Sequence, residues 1–95
     1  MAGYFGLTSF LDDCVGRVLT ALDDSGQADD TVVVYLSDHG ELLGDKGLWT
    51  KQVMYESSAG IPLILSGPGV PQGETCDTAA SVVDIAATAL DVMLD

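Results

Sequence analysis

Thr31-Val32-Val33-Val34-Tyr35-Leu36-Ser37-Asp38-His39-Gly40 is the stretch on which the fold turns. Its first six residues are β-branched, aromatic or aliphatic and show no polar alternation. An unbroken run of this kind predicts a strand buried on both faces, as in the middle of a parallel sheet. The run stops abruptly at Ser37, so Asp38 and His39 fall just past the carboxyl end of the strand. In open α/β sheets that is where ligands collect.

Upstream, the apolar positions Leu7, Phe10, Leu11, Cys14, Val15, Val18, Leu19 and Leu22 recur in steps of one, three and four. That spacing predicts one broad helical face from Leu7 to Leu22, stopped at Gly26. Downstream, Ile61 to Leu65 predicts a second strand, closed by the breaker Ser66-Gly67-Pro68-Gly69. A last helix is expected from about Ser81 to Leu94, with Val82, Ile85, Ala86, Ala89, Leu90 and Met93 facing inward. Ser81 followed by Asp84 resembles a capping box at its start. Helix, strand, long loop, strand, helix is the pattern of an α/β layered fold. Two helices cannot cover both faces of two doubly buried strands, so the chain reads as a slice of a larger sheet domain.

The 95 residues allow one domain at most, and 47% hydrophobic against 19% charged residues argues for a folded chain. Fifteen acidic and three basic residues give a net charge of −12. Such a surface repels phosphate backbones and anionic bilayers, so nucleic acid and membrane are excluded as partners. No apolar stretch approaches the ~20 residues of a membrane span, and no basic start precedes an apolar run as in a secretory leader. Cys14 and Cys76 are too far apart in sequence for a zinc or redox pair.

The loop from Asp38 to Gly60 far exceeds the roughly 2–6 residues common between α/β elements. It holds the only histidine and tryptophan and two of the three basic residues, Lys46 and Lys51. On the residues alone two readings stand. Asp38 and His39 can both reach a metal ion beyond the strand, or Asp38 caps a turn and His39 is a solvated side chain. Trp49 and Leu48 are expected to anchor the loop, and Glu56 to make a structural hydrogen bond in it. Arg17 and the Asp12-Asp13 and Asp23-Asp24 pairs read as solvated helix surface, and Cys14 as a small buried hydrophobe.

The run from Ser37 through Gly40-Glu41-Leu42-Leu43-Gly44-Asp45-Lys46-Gly47-Leu48-Trp49-Thr50 to Lys51 resembles the sulfatase family of the alkaline-phosphatase superfamily. The likeness is strongest to its choline-sulfatase and phosphonate-monoester-hydrolase branch. It continues through Tyr55-Glu56-Ser57-Ser58, Ile61-Pro62-Leu63-Ile64 and Gly67-Pro68-Gly69-Val70. Tyr4-Phe5-Gly6-Leu7, Phe10-Leu11-Asp12-Asp13 and Gly16-Arg17-Val18-Leu19 extend it upstream, and Val83-Asp84-Ile85 with Thr88 extends it downstream.

The resemblance implies a portion of an alkaline-phosphatase-like, mostly parallel sheet layered with helices. It makes residues 1–95 the middle-to-C-terminal part of a sulfatase catalytic domain, without the nucleophile-bearing N-terminal part. By the same likeness Asp38 and His39 are metal ligands, and Lys51 contacts the sulfate of a small-molecule sulfate ester as a catalytic and substrate-binding residue. The cation implied is divalent, calcium first with Mn²⁺ or Mg²⁺ as alternatives; imidazole suits the transition metals better than calcium. A cytoplasmic location is implied only through the bacterial choline sulfatases.

Departures from the pattern matter as much. The family's formylglycine nucleophile arises in a Cys-x-Pro-x-Arg type motif. Here Cys14 is followed by Val15-Gly16-Arg17 and Cys76 by Asp77-Thr78-Ala79, so formylglycine is expected in the missing N-terminal part. Ala59-Gly60 stands where many relatives carry arginine before the second strand, and Ala87 where proline is frequent. Two rivals remain open: a phosphonate or phosphate ester hydrolase of the same superfamily, and a non-catalytic acidic module binding a cation or a partner chain.

Overall fold

A computed structural model of the chain describes residues 1–94. Along them run α1 (Ala2–Asp24), a 3-10 turn at Ala28–Asp30, β1 (Val33–Leu36), a second 3-10 turn at Asp45–Gly47, α2 (Glu56–Ala59), β2 (Leu63–Ser66) and α3 (Asp84–Leu94). Both expected strands and both expected helices are present. α1 starts a turn and a half earlier than the apolar spacing indicates, taking in Tyr4 and Phe5. It ends where glycine allows a left-handed backbone: Gly26 has φ 71, and the Ser25 and Gly26 N–H groups donate to the carbonyls of Ala21 and Asp23.

The start of α3 is held by half of the reciprocal arrangement expected from Ser81 and Asp84. The Ser81 backbone N–H donates to the Asp84 carboxylate at 2.7 Å. Aspartate thus serves in the place usually taken by glutamate or glutamine.

The sheet departs from expectation. β1 and β2 pair antiparallel, with Val33 opposite Ser66 and Leu36 opposite Leu63. A parallel pair requires a crossover that carries the chain back to the starting edge, usually through a helix. Here the connection folds on itself instead, so β2 leaves the loop running against β1. After β2, Gly67 adopts φ 141 and packs against the backbone of Thr31; a Cβ there would lie 2.5 Å from the Thr31 oxygen. Only glycine fits that approach, which ties the end of β2 to the entrance of β1.

Burial also differs from expectation. β1 is half-buried except at exposed Tyr35, and β2 is largely exposed. Among the described residues β1 and β2 are the one pair of elements in extensive contact. The apolar side of α1 stays open, with Phe10 66% and Val18 69% exposed. On α3, Ile85 is half-buried but Leu90 and Met93 are exposed, against the inward placement expected for them. Cys14, expected to be buried, is half-buried. A cleft between β2 and α3 is lined by Leu36, Ile61, Val70, Val82 and Ile85. The radius of gyration is 16.0 Å, against about 13 Å for a closed 100-residue domain. Patterning has prepared apolar faces that these residues do not cover by themselves.

The tightest packing lies in the loop between the strands. Leu42, 3% exposed, and Ser58, 2% exposed, are its buried residues. Leu48 and Trp49 do not anchor it as expected: Trp49 is 61% exposed and lies across the loop near Gly44. Leu42 takes that role.

Candidate functional site

β1 delivers Asp38 and His39 to its carboxyl end, and the loop then turns sharply. Gly40 is pressed against the α2 turn, where its N–H donates to the Ser58 carbonyl at 2.8 Å. A Cβ on residue 40 would overlap the Ser57 carbonyl oxygen. Gly40→Ala is therefore expected to destabilise the chain by about 1–3 kcal/mol, read as a lower denaturant midpoint. An unchanged midpoint would contradict the close approach.

Past Gly40 the loop closes into a narrow hairpin-like excursion. Leu42 N–H donates to Thr50 O at 2.9 Å and Gly44 N–H to Leu48 O at 2.9 Å. The Glu41 carboxylate accepts the Thr50 N–H at 2.7 Å. Thr50 carries φ 73, a left-handed conformation that a β-branched residue rarely adopts. Glu41 and Leu42 thus hold Thr50 from both sides of its backbone. This strained residue directly precedes Lys51, and its geometry returns the chain to β1.

The return brings the three expected site residues together. Lys51 Nζ is in hydrogen-bond contact with His39 Nε2. Asp38 Oδ2 lies 3.4 Å from the same nitrogen, and Asp38 Oδ1 accepts the His39 backbone N–H at 3.0 Å. The Asp38 side chain is 83% exposed and that of His39 34%, so both are open to a ligand from solvent. His39 Nδ1 sits 2.8 Å from the Gly40 carbonyl. A carbonyl only accepts, so Nδ1 carries the proton and Nε2 presents a lone pair.

That arrangement fits one side of a cation site. Two donors 3.4 Å apart, each bonded at about 2.1–2.4 Å, subtend roughly 90–110° at a shared ion, within octahedral and tetrahedral limits. An Nδ1–H donated to a backbone carbonyl is also how ligating histidines are commonly oriented. Among the described residues no group of three or more His, Cys, Asp or Glu side chains gathers at one point. Asp38 and His39 are two donors, fewer than a complete ligand set contains. The Nε2 lone pair serves one partner at a time, so Lys51 and a cation are alternatives there.

The remaining candidates lie elsewhere. Lys46 Nζ is 5.1 Å from the centroid of the Tyr55 ring, a cation–π placement. Glu56 folds back against Gly60. Cys14 and Cys76 are free; hydrogen bonds from the Thr78 side chain and then its backbone draw the exposed Cys76 thiol below its usual pKa.

Glu41 and Ser58 carry structural weight that their sequence positions do not announce. Ser58 donates its hydroxyl to the Lys51 carbonyl and Ser57 donates to Asp45 Oδ2 at 2.7 Å, so the two serines hold the returning end and the tip of the excursion. Adjacent small hydroxyl residues before a strand are common in turns, and no periodic signal separates these from others.

The sulfatase family model matches residues 1–95. A choline-sulfatase from Rhizobium meliloti (strain 1021) is 36% identical over 94 residues, covering 93% of this chain and 18% of the relative. A sulfatase from Formosa agariphila is 39% identical over 89 residues, covering 94% and 18% respectively. Arylsulfatase K from Homo sapiens is 37% identical over 91 residues, covering 96% and 17%. The chain thus spans under a fifth of the length of these relatives.

Proposed function

The chain belongs to the sulfatase family, and from that premise we propose that it is the part of a sulfuric ester hydrolase that grips the ester's anionic head. Asp38 and His39 are its contribution to a divalent-cation site and Lys51 its contact to sulfate. The observation that carries the reading is the convergence of Asp38 and Lys51 on His39 Nε2. The exposed apolar faces of α1 and α3 and the share of each relative covered support its place within a larger α/β catalytic domain.

The residues divide the work by charge. Asp38 offers a carboxylate to the cation, and its second oxygen keeps the side chain in position through the His39 N–H. His39 is held in one tautomer by Gly40 and turns Nε2 outward. When bound, a cation supplies Lewis-acid polarisation of the ester's oxygens. Lys51, freed from Nε2, donates to those oxygens and offsets the negative charge that grows on them. Cys14 and Cys76 lie outside any Cys-x-Pro-x-Arg type motif, so no nucleophilic step is derived from this chain.

Choline sulfate is the first ester to assay, because a choline-sulfatase stands among the relatives. In a complete sulfatase carrying this segment, kcat/KM is expected to favour a sulfate monoester over the matching phosphonate and phosphate esters. Matched leaving groups make the comparison direct. The reverse preference would assign the site to phosphonate or phosphate chemistry, and hydrolysis of none of the three would leave a cation-binding module.

A further inference from the structure

We propose that Ser58 is the positioning residue that sets the spacing between Lys51 and the tip of β1, an inference that rests on the reading of Lys51 as the sulfate contact. Ser58 is 2% exposed, and its polar groups are all engaged. Its N–H donates to the Tyr55 carbonyl at 2.8 Å, which fixes it within the α2 turn. Its carbonyl accepts the Gly40 N–H at 2.8 Å, and its hydroxyl donates to the Lys51 carbonyl.

These bonds close a ring. Ser58 holds the Gly40 N–H, the Gly40 carbonyl holds His39 Nδ1, His39 Nε2 meets Lys51 Nζ, and the Lys51 carbonyl returns to the Ser58 hydroxyl. One buried side chain thus touches the backbone of both halves of the site. The Lys51 side chain has several rotatable bonds, so its reach is useful only if its backbone is fixed. Removing the hydroxyl leaves that carbonyl only the Val53 N–H at 2.9 Å, a donor from the same loop that does not tie it to the α2 turn.

In a complete sulfatase carrying this segment, the imidazole nitrogens of His39 can be followed by NMR, their resonances assigned by their loss in His39→Gln. In the wild type the ring is expected to show protonated Nδ1 and a hydrogen-bonded Nε2. Lys51→Met should move the Nε2 resonance to the value of a free acceptor. Ser58→Ala should move it most of the way to the same value, Ser58→Thr should restore it, and Ser57→Ala should leave it in place. If Ser58→Ala loses its dispersed amide spectrum, Ser58→Cys, which fills the space with a poorer donor, gives the same reading. A Ser58 variant that folds and keeps the wild-type Nε2 resonance overturns the positioning role while leaving the sulfate-contact reading intact. Wild-type Nε2 already at the Lys51→Met value overturns both.

Discussion

Lys51→Ala in a complete sulfatase carrying this segment is expected to lower kcat/KM for a sulfate ester by roughly 10²–10³-fold, the scale seen when one donor to a developing oxyanion is removed. The size follows from how little positive charge is at hand. Of three basic residues in 95, Arg17 lies on α1 and Lys46 is placed over Tyr55. The chain carries a net −12, so an anionic substrate meets repulsion that local cations must offset. Lys51→Arg keeps the charge but carries a planar, wider head, and is expected to recover only part of the rate. Steady-state kinetics on the three proteins decides the matter: equal kcat/KM in wild type and Lys51→Ala would remove Lys51 from the reaction.

How far the sequence reaches is clear at particular residues. β-Branched runs and the breakers at Gly26 and Ser66-Gly67-Pro68-Gly69 locate the helices and strands, because these are properties of short stretches. The direction in which β1 and β2 pair is not such a property. It depends on the path of the intervening loop, which is set by the Thr50 N–H donating to Glu41, the Gly40 N–H donating to the Ser58 carbonyl and the Ser58 hydroxyl donating to the Lys51 carbonyl. Bonds of this kind join single residues far apart in the chain and leave no repeat in the sequence. Burial is legible only as a tendency: the spacing of Phe10, Val18 and their neighbours marks a face suited to packing, yet both side chains lie open. Asp38, His39 and Lys51 stand out as candidates in the sequence because position after a strand, scarcity of basic residues and resemblance to a family converge on them, and the fold brings their side chains together. Ser58 and Glu41, which hold those residues in place, are ordinary polar loop residues to any local reading.

Asp38 offers the sharpest test of the cation. Its carboxylate is a charged oxygen donor at the β1 tip, 3.4 Å from His39 Nε2, and a hard cation gains most from a formal negative charge. Asp38→Asn keeps the shape and an oxygen for the His39 N–H at position 39, so it removes charge with little change in local geometry. Both Asp38→Asn and Asp38→Ala are expected to weaken cation binding at least about 10²-fold, about 2.8 kcal/mol at 1.4 kcal/mol per decade. His39→Ala should discriminate between metals. With Ca²⁺ its effect should be smaller than that of Asp38→Ala, because calcium favours oxygen over imidazole nitrogen. With Mn²⁺ the two losses should approach each other, because the imidazole is then a matched ligand. Calorimetric titration of the complete enzyme with each metal gives the affinities, and turnover measured across the same metal concentrations should follow them. Affinity for both metals unchanged in Asp38→Asn would place the cation away from β1, and with it the electrostatic argument for this site would fail.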